Sequence, residues 1–349
     1  MRYIISLLLT SVALPTLADM PRVVTDIPPV HALALQVMGD LGQPELLLDG
    51  GANAHSYQLR PSQAASLADA GLILWVGPQM TPWMERALDG LSPDVPRLAL
   101  LEDEGTYRRS FGQTDTDDHG EDHDHGHDHG HDHGKKDKKA AAKADNHAGH
   151  NHAGHDHEDH DDHAAQDADD HAGHDHSGVD PHAWLDPANA RHWVGLIGAE
   201  LSRLDPENAA TYAANVTAAQ ARLDALDAEL AAALAPVKDK PFVVFHDAYG
   251  YFSSHYGLTV AAAIALGDAS SPGAARLREV STQVAKGGDL CLFPEAQHDP
   301  ALVTQMAEGT AARIGAALDP EGSTIAPGPD AYDDLMRGLA TNIINCLNG

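Results

Sequence analysis

The sequence is poor in positive charge and in aromatic residues. Its 349 residues include 22 lysines and arginines against 52 aspartates and glutamates, a formal net charge of −30 at pH 7. We therefore expect no nucleic-acid partner, because phosphate would be repelled, and cations are the more natural ligands. Aromatic residues make up only 5%, but hydrophobic residues reach 43%, enough for a real core outside the charged segments.

Long hydrophobic runs are missing except at the N-terminus, which has the form of an export signal. Met1–Tyr3 is a short basic start, Ile4–Leu14 is almost entirely apolar, and Ala18 ends a run of small residues at the expected cleavage position. The apolar stretch is too short to span a bilayer, and no cysteine lies near the cut to carry a lipid anchor. We predict a signal peptide at residues 1–18 and a soluble, periplasmic mature protein.

Cysteine is also scarce, with only Cys291 and Cys346 present. An even count in an oxidising compartment suggests one disulfide, and closing a loop of this length would stabilise the fold by roughly 4 kcal/mol. Two buried free thiols are the alternative.

Two blocks of the chain alternate short apolar runs with helical patterns. This alternation is typical of α/β proteins with mostly parallel sheets flanked by helices. Thr81 and Pro82 predict the N-cap and first residue of one helix, and Gly90 lies past its predicted end. The predicted strands are 22–25, 45–48, 71–77 and 97–101 in the first block, and 242–245, 258–266, 289–293 and 312–318 in the second.

A segment of very different composition, residues 113–178, separates the two blocks. It contains Asp, His, Gly, Ala and Lys with almost no large apolar residue, so we predict a disordered insertion. Seventeen of the 24 histidines lie in 119–176, as in HDHGHDHGHDHG at 123–134. Such a chain has no fixed geometry, and each binding event costs ordering entropy, so we expect it to hold several metal ions weakly. An inert acidic insert is the alternative.

A long helical pattern follows the insertion. It begins at Asp205–Pro206 and stops at Pro236, and the helix over 206–235 would be about 45 Å long. This length predicts a rigid helix joining two lobes, although a long packing helix within one domain is the alternative. The predicted organisation is a signal peptide at 1–18, an N-terminal metal-binding lobe at 19–205 that includes the insertion, a linking helix at 206–235 and a C-terminal metal-binding lobe at 236–349.

Three of the seven histidines outside the insertion occupy similar places. His55 follows a strand in GGANAHSYQLRPS, His182 precedes a helix in DPHAWLDP, and His246 ends a strand in FVVFHDAYG. Ligands of open α/β sheets bind outside the carboxyl ends of strands, so the three are predicted to face one crevice. Three neutral imidazoles and one oxygen form a good tetrahedral zinc set. Taken singly, each could instead be a capping or packing residue.

The other four histidines outside the insertion are expected to have no ligand role. His31 is predicted to pack at a helix start near the cleft, and His192, His255 and His298 to be surface or core-edge residues.

Five motifs carry a family resemblance. They read HSYQLRPS, DPHAWLDP, FVVFHDAYGYF, LCLFPEAQ and ALDPEG, in this order. Together they resemble the periplasmic zinc-binding proteins of ABC importers, the ZnuA type of the cluster A-I metal-binding family, over roughly residues 22–349. The resemblance implies two α/β lobes joined by one long helix, with Zn²⁺ bound between them as transported ligand. It also implies a His-rich loop at 113–178 and a disulfide between Cys291 and Cys346.

The resemblance assigns His55, His182 and His246 as zinc ligands. Manganese-type relatives have a carboxylate at the position of His246, so this histidine indicates zinc. Some zinc members have Glu immediately before the first ligand, where this chain has Ala54, and related members use an Asp that aligns with Asp319. Asp319 or a water is therefore expected as fourth ligand. The alternative role of Asp319 is to cap the turn that follows it.

The predicted function is that of a solute-binding protein, not an enzyme, that delivers Zn²⁺ to an ABC-type membrane permease. We expect it to act as a monomer, with the insertion as zinc scavenger or sensor. A zinc hydrolase is one alternative, since three histidines with an open position are also a catalytic pattern. However, the sequence has no HExxH, and Glu295 is the nearest candidate base. A stand-alone zinc buffer is the other alternative.

Overall fold

The computed structural model describes residues 20–48, 53–112, 178–266 and 271–349. The predicted signal peptide at 1–18 and, apart from Gly178, the predicted insertion at 113–178 lie outside these residues. No helix in the described part of the chain has the length and apolar character needed to cross a membrane.

The first half of the chain forms a four-stranded parallel sheet in the order β2-β1-β3-β4. The strands are short apolar runs, and β1 and β3 are fully buried because helices cover the sheet. The strands are β1 (Val23–Thr25), β2 (Glu45–Leu46), β3 (Leu72–Trp75) and β4 (Arg97–Ala99), and the helices are α1 (Pro28–Met38), α2 (Pro61–Ala68) and α3 (Pro82–Leu91).

Two consecutive helices then lead to the second half, α4 (Pro187–Leu204) and α5 (Ala209–Leu234). At 26 residues α5 is about 39 Å long, and it packs against α4 and α1. Its buried residues recur at helical steps on one face: Tyr212, Ala219, Leu223, Leu226, Leu230 and Leu234. The long helix therefore joins the two sheets and also packs along the first half.

The second half repeats the topology of the first. Its parallel sheet has the order β6-β5-β7-β8, so the first strand of each half is flanked by the second and third. The elements are β5 (Phe242–His246), α6 (Gly250–Tyr256), β6 (Val260–Ala265), α7 (Ala274–Lys286), β7 (Cys291–Phe293), α8 (Ala301–Ala307), β8 (Arg313–Ile314) and α9 (Ala331–Asn348). The predicted fold class, two parallel-sheet α/β lobes joined by a long helix, is confirmed.

One hydrophobic core runs through both halves. It includes Val23 and Leu74 from the first sheet, Trp193 from α4, and Phe242 and Phe293 from the second sheet. A smaller apolar cluster lies on each sheet beside it. The described residues fall into a single compact unit, so the domain boundaries after residues 205 and 235 stay predictions.

The disulfide predicted between Cys291 and Cys346 is present. It joins strand β7 to helix α9, with the two Cα atoms 6.1 Å apart and a sequence separation of 55. Both cysteines of the chain are therefore paired.

The predicted start of helix α3, with Thr81 at the N-cap position and Pro82 as first residue, is confirmed, but its predicted end needs correction. Thr81 stands at the N-cap position, but its hydroxyl donates to the carbonyl of Gly77 at 3.4 Å and does not cap the helix. Gly90 lies inside the last turn, because α3 continues to Leu91. The helix ends at Ser92, whose N–H bonds the Leu88 carbonyl and whose hydroxyl donates to the Leu67 carbonyl.

Candidate metal centre

Two of the predicted ligands, His182 and His246, face each other in the interior. Each is 1% exposed, their ring centroids are 5.2 Å apart, and their Nε2 atoms are 3.4 Å apart. Two nitrogens on one tetrahedral zinc, each about 2.05 Å from the metal, are about 3.3 Å apart. The two imidazoles therefore already have the spacing of neighbouring ligands on one ion.

The other ring nitrogen of each histidine contacts a carboxylate. His182 Nδ1 lies 2.7 Å from Asp180 Oδ1, and His246 Nδ1 lies 2.5 Å from Glu295 Oε2. A carboxylate only accepts hydrogen bonds, so in the neutral imidazoles both Nδ1 atoms carry the proton and both Nε2 atoms keep a lone pair for a metal. Two lone pairs that face each other in a buried site favour a cation between them. Carboxylate–histidine pairs of this kind commonly orient metal-binding imidazoles.

Both orienting carboxylates are fixed by further contacts. Asp180 Oδ1 also accepts the backbone N–H of His182, and Tyr249 donates its hydroxyl to Glu295 Oε2 at 3.3 Å. Both carboxylates are buried. Burial, together with the nearby Asp180 carboxylate, raises the pKa of Asp247, the residue after His246. Acidic groups therefore surround the two imidazoles, which suits a cation.

His55, the third predicted ligand, lies beside this pair. It is part of a short 3-10 turn, Ala54–Ser56, and its ring centroid is 5.6 Å from that of His182. His182 is thus a near neighbour of both other predicted ligands. Within the described ranges, no group of three His, Cys, Asp or Glu side chains is yet close enough together to hold one metal ion. The three-histidine shell therefore stays a prediction.

Asp319, the predicted fourth ligand, is turned towards its own loop. Its Oδ1 accepts the N–H and hydroxyl of Ser323 at 2.9 and 3.0 Å, and its Oδ2 accepts the N–H and hydroxyl of Thr324 at 2.7 and 2.6 Å. These four bonds use all the acceptor sites of the carboxylate. Asp319 therefore has the turn-capping role that was its alternative, and a ligand role, which stays a prediction, would require breaking one of these bonds.

The remaining histidines outside the insertion have structural partners. His31 is buried in α1 against the Pro44 carbonyl, and burial lowers its pKa. His192 bonds Asp103 at 2.6 Å on the surface. Burial lowers the pKa of His255, but ion pairs with two aspartates, Asp186 and Asp227, outweigh it and raise the pKa to about 9.

His298 is half-buried at the edge of the core, as one of its two predicted positions had it, and it lies near the pair. Its ring stacks on Phe245 at 4.4 Å between centroids, and its centroid is 6.4 Å from that of His246. Its Nε2 is 3.6 Å from Glu295 Oε1, so Glu295 lies between two histidines. The proximity of His298 to Glu295 could have been predicted from the sequence, because the two residues are only three positions apart.

The two ends of the predicted insertion are held together next to the pair. Ser110 pairs antiparallel with Val179, the Phe111 N–H bonds the Gly178 carbonyl, and the Asp180 N–H bonds the Arg109 carbonyl. This short ladder, residues 109–111 and 178–180, ends at the carboxylate that orients His182. The insertion therefore returns to the fold four residues before His182, and its two ends are paired beside Asp180, the residue that orients this histidine.

Neutralising Glu295 gives a direct test of the carboxylate–histidine pairs. Glu295→Gln keeps the side-chain shape but removes the charge that orients His246 and favours its Nδ1 proton. We expect zinc affinity, measured by chelator competition, to fall about 10- to 100-fold. Asp103→Asn is the matched control, because it neutralises the surface carboxylate paired with His192. Equal affinity of Glu295→Gln and the parent protein would contradict this role.

Comparison with known proteins places the chain among zinc-uptake proteins. The model of a family described as "Zinc-uptake complex component A periplasmic" matches residues 23–346. A protein of Paracoccus denitrificans (strain Pd 1222), named High-affinity zinc uptake system protein ZnuA, is 50% identical over 339 residues, which cover 97% of this chain and 95% of that protein. A protein of the same name from Brucella suis biovar 1 (strain 1330) is 38% identical over 329 residues, 93% of this chain and 91% of that protein.

The fold also matches solved structures. The periplasmic zinc binding protein TroA from Treponema pallidum superposes with a TM-score of 0.69 at 19% identity, covering 94% of this chain and 99% of that one. At this identity the likeness concerns the fold, and it agrees with the two parallel sheets and the joining helix.

Proposed function

Because the chain belongs to the ZnuA family of periplasmic zinc-uptake components, we propose that it captures one Zn²⁺ with His55, His182 and His246 and hands it to an ABC-type membrane permease. Zinc is its transported ligand, and the chain is not an enzyme. The observation that supports this ligand set best is the pair of Nε2 lone pairs 3.4 Å apart in the interior.

According to this proposal, binding of Zn²⁺ completes a site that is already partly formed in the zinc-free protein. The His182–His246 pair provides two preset nitrogens, and the His55 turn moves in to provide the third. The fourth position is taken by water or by Asp319 after it gives up one bond of its own turn. Part of the shell then depends on the His55 turn, so the ion can be released when this turn moves away.

A hydrolytic role is disfavoured by the position of Glu295. This residue is the nearest candidate base, but its Oε2 contacts both His246 Nδ1 and the Tyr249 hydroxyl. An oxygen engaged in this way orients a ligand and is poorly placed to take a proton from water. The names of the relatives likewise describe uptake and no reaction.

The insertion is proposed to collect zinc for the cleft. Its 17 histidines in 119–176 provide many weak sites, and the ladder at 109–111 and 178–180 tethers them beside His182. A tether raises the effective concentration of captured zinc near the cleft without any new contact. We further propose that the chain acts as a monomer.

One experiment tests cleft and insertion together. Residues 113–177 are replaced with a short glycine linker that preserves the ladder, and zinc stoichiometry and affinity are measured by chelator competition. We expect one tight site to survive and the weak sites to vanish, because the cleft histidines are untouched. Loss of tight binding with the insertion would contradict the three-histidine assignment.

The same two proteins are then compared with the permease in vesicles. Both should stimulate its ATPase when loaded with one equivalent of zinc, and the parent should load faster when free zinc is limiting. A stand-alone zinc buffer would bind zinc tightly but leave the ATPase rate unchanged, which would contradict delivery.

A further inference from the structure

The predicted ligand His55 is held differently from the other two. His182 and His246 are oriented by carboxylates bonded to their rings, whereas His55 lies on the Ala54–Ser56 turn, outside both sheets. Such a turn lacks the ladder of hydrogen bonds that fixes a strand, so its position depends on the side chains that bond it. The backbone N–H of His55 itself bonds Asn53 Oδ1 at 2.9 Å, which shapes the turn but does not attach it to the lobe.

The indole of Trp83, in the first turn of α3, contacts this turn on both sides of His55. Its Nε1–H donates to the carbonyl of Ala54 at 2.7 Å, the residue before His55. Its ring lies 5.4 Å from the ring of Tyr57, two residues after His55, between centroids. The indole N–H is a donor only, and the ring is rigid, so one side chain attaches both ends of the turn to the helix.

The residues that follow the His55 turn are held by helix α2. Gln63 accepts the Tyr57 hydroxyl at 3.0 Å and the Arg60 N–H at 2.9 Å. Tyr57, against which the indole packs, is therefore itself restrained. Trp83 thus connects the His55 turn to a fixed frame of two helices.

We propose that Trp83 is the positioning residue of His55, holding the Ala54–Ser56 turn so that the His55 ring faces His182. The inference rests on the proposed ligand role of His55. The indole holds the turn beside His182 through one hydrogen bond and one ring contact.

The test is Trp83→Phe in the full-length mature chain. This change keeps an aromatic ring but removes the N–H, and a net hydrogen-bond contribution of this kind corresponds to about 3- to 10-fold weaker zinc binding. Trp75→Phe is the matched control. Trp75 is buried in the same lobe, and its Nε1 has no hydrogen-bond partner among the described residues. Affinity is measured by chelator competition at one equivalent of zinc.

Hydrogen exchange provides a readout that a general loss of stability would not reproduce. Trp83→Phe should speed amide exchange in the peptide around residues 53–57, and Trp75→Phe should leave that peptide unchanged. Unchanged zinc affinity in Trp83→Phe overturns the inference, as does an affinity loss without faster exchange at 53–57 or an equal loss in Trp75→Phe.

His55→Ala, measured in the same series, separates this inference from the proposed function. If His55→Ala weakens zinc binding and Trp83→Phe does not, only the role of Trp83 is wrong. If His55→Ala binds zinc as tightly as the parent, the ligand assignment itself fails, and the role of Trp83 fails with it.

Discussion

Replacing His246 with alanine should weaken zinc binding roughly 100- to 1000-fold. Structural zinc sites bind with about 10–16 kcal/mol from four ligands, so one ligand accounts for roughly 3 kcal/mol, or about two orders of magnitude in affinity. His246 is 1% exposed and supplies one of the two preset nitrogens, so no water replaces it without rearrangement. The change also leaves the Glu295 carboxylate buried without its imidazole partner.

The measurement is chelator competition at one equivalent of zinc, with thermal unfolding of the zinc-free protein beside it. His192→Ala is the matched control, because His192 also bonds a carboxylate, Asp103, but lies on the surface of α4. Its zinc affinity should equal that of the parent. A His246→Ala protein that is folded and binds zinc as tightly as the parent would show that the cargo is held elsewhere.

Removing the disulfide should cause the largest loss of stability among these variants. Cys291 and Cys346 are 55 residues apart, and in the chain-entropy model closing such a loop stabilises the fold by about 4 kcal/mol. The bridge attaches α9 to β7, the strand that leads to Glu295. Replacing both cysteines with alanine should therefore lower the Tm of the zinc-free protein by roughly 10 °C.

Reduction of the parent protein is the natural comparison for the double alanine variant. The parent should have a lower Tm with reductant than without it, and the Tm of the reduced parent should be close to that of the variant. The variant itself should not respond to reductant. A parent protein whose Tm is insensitive to reduction would contradict a stabilising role for the bridge.

The sequence predicts the strands well, because burial under helices requires the strands to be apolar. Parallel strands covered on both faces must be apolar, and runs such as LILW in β3 stand out between amphipathic helices. The ends of α3 are less predictable. The Thr81 hydroxyl bonds the preceding turn at Gly77, and Ser92 ends the helix through contacts with Leu67 and Leu88. Such contacts depend on tertiary structure, which local propensity does not encode.

The histidines of the candidate site are predictable for a different reason. His246 ends a strand, and the carboxyl ends of parallel strands meet at one edge, so its proximity to His182 follows from topology. The partner carboxylates are harder to predict. Asp180 lies two residues before His182, a spacing that the motif DPH displays, whereas Glu295 is 49 residues from His246 and reaches it only through the pairing of β5 with β7. The contact of Trp83 with the His55 turn cannot be predicted from residue types, because the partner of its indole N–H is a backbone carbonyl.

The ladder that joins residues 109–111 to 178–180 makes the length of the insertion almost neutral for the fold. Once the two ends are paired, doubling the number of residues between them adds only about 0.6 kcal/mol of closure entropy. Substitutions, duplications and deletions within the insertion therefore leave the cleft histidines in place. On the proposed function, zinc collection by the insertion and zinc delivery by the histidine site are separate properties of one chain, and another metal-chelating sequence placed between Gly112 and Gly178 should require no redesign of the protein around it.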